Sequence, residues 1–124
     1  MRIYLAGKWE EADKISAYAR ELRFEGHRIT MPWFDIEVGE NIDQVRAALN
    51  DLQGVRMADC CIFIFENELN YRGAYAELGI SLALGKQTIV VGDAGKRNVF
   101  THHPLVEHVE TWEEAKKLLR WATC

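Results

Sequence analysis

The sequence predicts an α/β protein built on a doubly wound parallel sheet. Three observations carry that prediction. Strand-like and helix-like segments alternate along the whole 124 residues, the pattern of strands joined by crossover helices. Cys60–Phe65 (CCIFIF) is a continuous apolar run of strand length, suited to a central strand buried on both faces. A polar loop, Glu66–Arg72, follows it, and then a helix in which the small residues Ala74, Ala76, Gly79 and Ala83 permit close packing alongside Tyr75, Leu78 and Leu82. Gly85 closes that helix.

In chain order, Arg2–Ala6 (RIYLA) reads as the first strand, and Gly7 ends it and permits a tight turn. Glu10 to Phe24 carries helical periodicity through Ala12, Ile15, Ala19, Leu22 and Phe24, stopped by Gly26. His27–Met31 is a short second strand, and residues 32–41 form an irregular loop with two aromatics, Trp33 and Phe34. Ile42 to Met57 is the second helix, with Val45, Leu49 and Leu52 on one face. After the central strand and its helix, Gln87–Val91 is the fourth strand. A glycine-bearing loop over 92–98 leads to a short fifth strand near His108 and Val109. Thr111 caps a last helix, Trp112 to Trp121, whose first turn holds Glu113 and Glu114.

Composition narrows the function. At 124 residues the chain is expected to form one domain over 1–124, with 48% hydrophobic and 27% charged residues, as in ordinary globular proteins. A net charge of −4 argues against a nucleic-acid polymer as partner. No apolar run reaches the roughly 20 residues of a membrane span, and MRIYLAG reads as a strand and not a signal peptide. Cys60 and Cys61 are adjacent on a buried strand and face opposite sides; with Cys124 they read as reduced thiols of a cytoplasmic protein. No His/Cys spacing supports a metal, and adjacent His102 and His103 seldom converge on one ion. No cofactor is expected.

Two carboxylates draw attention. In an open α/β sheet ligands sit beyond the carboxyl ends of the strands. Glu77 lies about one and a half turns into the helix after the central strand, so its side chain can project back to that edge. Asp51 precedes the strand by roughly two helical turns, among Leu49, Leu52 and Val55. Paired carboxyl groups at one cleft suit cleavage of an N- or O-glycosidic bond, one attacking or stabilising a cationic sugar carbon while the other handles a proton. The alternative from the residues alone is a helix-capping Glu77 and a solvated Asp51.

The segments IYLAGKW, Asp51-Leu52-x-Gly54, Met57-Ala58-Asp59 and Arg72-Gly73-x-x-x-Glu77-Leu78-Gly79-x-x-x-Ala83-x-Gly85-Lys86 together resemble the nucleoside 2-deoxyribosyltransferase superfamily, which also holds 2′-deoxynucleoside 5′-phosphate N-hydrolases. The similarity spans most of the chain. It implies a flavodoxin-like five-stranded sheet of order 2-1-3-4-5 with helices on both faces. It also implies a nucleoside or nucleotide and a nucleobase as small-molecule partners, a role in nucleotide salvage, and a homo-oligomer as the working unit.

By the same resemblance Glu77 is the nucleophile on C1′ and Asp51 assists the leaving base. Tyr4 and Trp9, at the turn marked by Gly7, form an aromatic wall for the base; the residues alone equally allow Tyr4 as core and Trp9 as a helix staple. Arg72 and Gly73 open the Glu77 helix, where an anion such as a 5′-phosphate would be favoured, unless Arg72 pairs with Glu66 or Glu68. Asn70 or Glu68 stands nearest to an acid that the transferases place in this loop. Asn98 matches an Asn that related transferases insert into a neighbouring subunit's site. The phosphate-cleaving branch carries a serine shortly before the catalytic Glu and a Ser-x-Arg-Gly-Gly turn after strand one. Here those positions read Tyr71 and Lys8-Trp9-Glu10-Glu11, which favours an unphosphorylated nucleoside. The expected activity is deoxyribose transfer between bases; the rivals are hydrolysis of a 5′-monophosphate and a non-catalytic binding module.

Overall fold

Apolar side chains at every second position of the strands fill both faces of a central sheet, which sets the architecture. The computed structural model describes residues 1–36, 43–67, 71–93 and 98–122, with side chains to residue 119. Its strands are β1 (Arg2–Ala6), β2 (Arg28–Ile29), β3 (Cys60–Ile64), β4 (Gln87–Val91) and β5 (Val106–Val109). Its helices are α1 (Ala12–Phe24), α2 (Gln44–Met57), α3 (Gly73–Ala83) and α4 (Trp112–Ala122). The strands form one sheet of order β2-β1-β3-β4-β5, and every neighbouring pair is parallel.

Residues 3 and 5 of β1, with Ile62, Ile64, Ile89 and Val91, face α1 and α4 and pack on Ile15, Leu22 and Leu119. Tyr4, Cys61, Phe63 and Val90 face the other way, toward Val55 of α2 and Ala74 and Leu78 of α3. Cys60 and Cys61 therefore enter opposite cores as buried free thiols, as the strand period requires. Cys124 and Ile42 lie outside the described residues.

The helix ends follow their chemistry. Asp43 caps α2 by accepting the Arg46 amide at 3.1 Å, and Thr111 accepts the Glu114 amide at 3.2 Å at the start of α4. Gly85 takes φ 69° just past α3, the left-handed position that a residue with a Cβ resists.

Four expectations change. The turn Trp9–Glu11 is 3-10, so α1 starts only at Ala12. β2 shrinks to two residues at the sheet edge: Thr30 still donates its amide to Ile3, but its hydroxyl turns to the Gly54 carbonyl at 2.7 Å and the chain leaves the sheet. Phe24, expected on the buried face of α1, is 94% exposed, because Leu22 takes the core position and two residues turn a helix about 200°. Val45 and Leu49 are also exposed. Only the C-terminal end of α2, at Gly54 and Val55, is buried, so the apolar stripe of α2 is turned outward.

Candidate active site

The second residue of the β1 apolar pair, Tyr4, points into the α2/α3 face, and this decides where the site forms. Its ring is fully enclosed. Helix α2 lies directly on it at Gly54, where an added Cβ would come within 2.9 Å of Tyr4 Cδ1 and Cε1 and 2.7 Å of Met31 Cβ. A glycine in a helix interior costs about 1 kcal/mol relative to alanine. Here the absence of a side chain lets α2 close over Tyr4, and Asp51 stands one turn earlier on the same helix. The sequence signal for this role was present in Asp51-Leu52-x-Gly54, a mid-helix glycine that needs a packing reason.

Glu77 enters from α3. Its side chain runs back along the helix toward Gly73: a Cβ at that glycine would lie 3.8 Å from Glu77 Oε1. The direction is the one that helical side chains take. Gly73 thus leaves open the space beside the carboxylate. Burial pushes the Glu77 carboxyl up to about 8; the Tyr4 hydroxyl opposes this and the Asp51 charge adds to it. Asp51 is half-buried and is itself raised by burial. The Tyr4 hydroxyl makes no hydrogen bond of ordinary geometry with a described residue, yet it lies within the electrostatic reach of both carboxylates. It acts on Glu77 as a side-chain donor that favours the ionised carboxylate. Tyr4 itself is held neutral by burial, Glu77 and Asp51.

The three groups make a low-dielectric site with a phenol and two acids. Asp51 loses its proton first and raises Glu77, so near neutrality the pair retains one proton. Cys61 pairs with Tyr4 in the β1–β3 register, but burial pushes its thiol up to about 11, which makes it a packing group and not a nucleophile.

Tyr4 and Trp9, which the family resemblance makes one aromatic wall, differ in exposure in the structure. Tyr4 shows no face to solvent, whereas Trp9 is 44% exposed on the rim. Trp9 has a partner that the sequence did not single out for a role: Trp33, 6.1 Å away between ring centroids and tilted 46°. The Trp33 indole donates to the Leu5 carbonyl at 2.7 Å, which fixes it over the carboxyl end of β1. Gly7 does not adopt a left-handed conformation; a Cβ there would strike Ile15 Cδ1 at 2.4 Å, so its role is close approach to α1 and not the turn.

Arg72 is exposed at the start of α3, and Glu66 is engaged instead by Lys14 at 3.3 Å and the Tyr18 hydroxyl at 2.9 Å. Asn98 caps the 3-10 turn Val99–His102 by accepting the Phe100 amide at 2.9 Å, and that turn packs against α3, the helix that carries Glu77. Asn70 and Glu68 lie outside the described residues. Among the described residues, no three His, Cys, Asp or Glu side chains cluster as a metal site would require. No described helix is long and apolar enough to cross a membrane. An open depression of about 380 Å³ beside Trp9, Asp13 and Asp35 touches neither carboxylate.

A second polar cluster went unread in the sequence. Glu11 is buried and accepts hydrogen bonds from Lys14, from Asn67 Nδ2 at 2.7 Å and from Tyr71 Oη at 3.0 Å. No motif announces it, because Glu11 and Lys14 lie at the start of α1 while Asn67 and Tyr71 lie in the loop after β3, 56 residues on from Glu11 to Asn67.

Among proteins with curated functions, none matches this sequence. Solved structures share its fold, among them the following two. A conserved protein from Enterococcus faecalis V583 aligns with a TM-score of 0.75 at 13% identity, over 98% of each chain. The CMP N-glycosidase BcmB of Clostridium botulinum aligns with a TM-score of 0.66 at 17% identity, over 100% of each chain. The sequence profile of the nucleoside 2-deoxyribosyltransferases matches residues 3–111, nearly the full sheet and both carboxylate-bearing helices. With the parallel 2-1-3-4-5 sheet, that match establishes that the chain belongs to the nucleoside 2-deoxyribosyltransferase family.

Proposed function

We propose that this protein cleaves the N-glycosidic bond of a 2′-deoxynucleoside and transfers the deoxyribose to another base through a covalent ester on Glu77. The observation that carries the reading is the Glu77 carboxylate, on a half-buried residue and within electrostatic reach of the Tyr4 hydroxyl and Asp51 at the α2/α3 face. Ionised Glu77 attacks C1′ as the C1′–N bond breaks. The bond's electron pair goes to the departing base, which takes the proton held by the acid pair, with Asp51 as its last carrier. The incoming base then attacks C1′, releases its own proton to the pair and frees the Glu77 carboxylate. A 2-deoxy sugar eases both steps, since it lacks an electron-withdrawing 2′-hydroxyl. Tyr4 stabilises the carboxylate as it forms and as it leaves. Trp9 offers a rim face on which a base stacks.

Hydrolysis is the second reading, in which water takes the place of the incoming base. The N-glycosidase named for the Clostridium neighbour motivates it. The working unit is inferred to be a homo-oligomer, at least a dimer. Val99 and Phe100 stand exposed next to Asn98, and Val45 and Leu49 face outward on α2. Sedimentation of an active monomer would refute that part.

The test is product analysis with a deoxynucleoside and with its 5′-monophosphate, each with and without an acceptor base. A new nucleoside supports transfer, and free deoxyribose or its phosphate supports hydrolysis. No product from either substrate rejects the enzyme and leaves a nucleoside-binding module.

A further inference from the structure

Three donors, two from the loop after β3 and one from the first turn of α1, converge on Glu11. Oε1 accepts from the Tyr71 hydroxyl, and Oε2 accepts from Asn67 Nδ2 and the Lys14 ammonium. The Asn67 amide donates to Tyr71 Oη at 3.2 Å, and the Lys8 ammonium sits 5.2 Å from the centre of the Tyr71 ring. An ammonium, an amide and a phenol aimed at one pair of oxygens form a cradle for an anion. Taking a carboxylate out of water is costly, and such a buried pair is weak grounds for stability. The arrangement therefore calls for a role.

Its position suggests one. Glu11 follows β1, while Asn67 and Tyr71 follow β3, the adjacent strand, so the cradle lies at the carboxyl edge of the sheet. Tyr71 stands two residues before α3, and the Glu77 carboxylate reaches back to the level of Gly73. The cradle and the acid pair thus share the N-terminal end of α3.

We propose that Glu11 is a resident anion that fills this cradle, so that the site takes a sugar with an uncharged 5′ end and rejects one carrying a 5′-phosphate. A phosphate arriving here finds three donors already engaged and meets a negative charge. The proposal rests on the nucleoside-cleaving reading for its substrate class, but the occupied cradle is independent of catalysis.

The experiment compares wild type with Glu11→Ala and Glu11→Gln, each checked for native circular dichroism. Calorimetric titration with inorganic phosphate reads the cradle alone. Wild type is expected to show no saturable binding at millimolar phosphate, and the Ala variant to bind. The second reading is kcat/KM for deoxyadenosine and for its 5′-monophosphate, with an acceptor base present. The ratio is expected to move toward the monophosphate by about tenfold or more in the variants. If the Ala variant does not fold, the Gln variant, which keeps the shape and drops the charge, still reports the ratio. Wild type that prefers the monophosphate, or variants that lose both substrates in equal proportion, overturn the proposal. Phosphate binding that appears in a variant of an enzyme inactive on both substrates keeps the resident anion and rejects the nucleoside reading. Activity on deoxyadenosine with no gain of phosphate binding rejects the resident anion alone.

Discussion

The Tyr4 hydroxyl, enclosed beneath α2, faces the Glu77 carboxylate of α3 without closing a hydrogen bond of ordinary geometry to it or to another described residue. A phenol in that place favours the ionised form of the acid. Asp51, on the neighbouring helix, disfavours it. The ionisation of Glu77 is thus set by two groups that act in opposite directions.

That opposition predicts the pH dependence. The reaction uses the state in which the acid pair holds one proton, so kcat/KM falls as pH rises through about 8 in wild type. Asp51→Asn removes the proton carrier and a negative neighbour, so the rate falls and the remaining activity follows Glu77 ionisation with a midpoint at lower pH. Tyr4→Phe removes the stabilising hydroxyl, so the midpoint should move to higher pH. Steady-state profiles of the two variants check this. Shifts in the same direction, or none, would show that the two groups do not set Glu77.

Gly54→Ala tests the closure of α2 over Tyr4. Helix propensity alone favours alanine by about 1 kcal/mol. The added Cβ would fall 2.7 Å from Met31 Cβ and 2.9 Å from two Tyr4 ring carbons, and neither neighbour is a flexible chain end. Overpacking of this kind costs roughly 1–3 kcal/mol, so a net loss of stability is expected, with a drop in kcat as Tyr4 is displaced. Urea melts and kinetics on the folded fraction measure both. A variant as stable and active as wild type would mean that α2 does not rest on Tyr4.

The sheet was legible because its signals are local. CCIFIF reads as a strand buried on both sides, and β3 occupies the middle of the sheet with both faces covered. Gly85 and Thr111 mark helix ends through their own backbone and side-chain chemistry. The outward stripe of α2 was not legible: Val45 and Leu49 have core-like periodicity, and only tertiary placement shows that they face away from the sheet. The Tyr4 site was half legible, since its residue types were visible but the enclosure of its ring was not. The Glu11–Tyr71 bond joins residues 60 positions apart, and no spacing rule reaches that far.

Trp9→Ala should weaken substrate binding by roughly 1–3 kcal/mol through lost base stacking. Trp9 is the aromatic with an exposed face at this rim, while Trp33 is tied down by the Leu5 carbonyl. Titration calorimetry with a deoxynucleoside gives the affinity, and thermal melting gives the stability. A fall in stability with unchanged affinity in the folded protein would make Trp9 a packing residue of the α1 turn.

Glu77→Gln and Glu77→Ala should abolish turnover while leaving substrate affinity largely intact, because a nucleophile contributes in the transition state more than in binding. They should also be more stable than wild type. The Glu77 carboxyl, raised to about 8 from an ordinary value of 4.5, makes the folded protein lose stability as pH rises across that interval. A neutral glutamine removes this loss, so its advantage in melting temperature should grow from acid to mildly alkaline pH. A capping or salt-bridging glutamate predicts the reverse: a small loss of about 1 kcal/mol in the variant and nearly normal rates. The ester itself can be caught in the wild type with a 2-fluoro-arabinosyl nucleoside, whose fluorine slows its breakdown. Mass spectrometry should place the sugar on the peptide containing Glu77. An adduct on any other residue, or full activity in the Ala variant, would end the covalent mechanism.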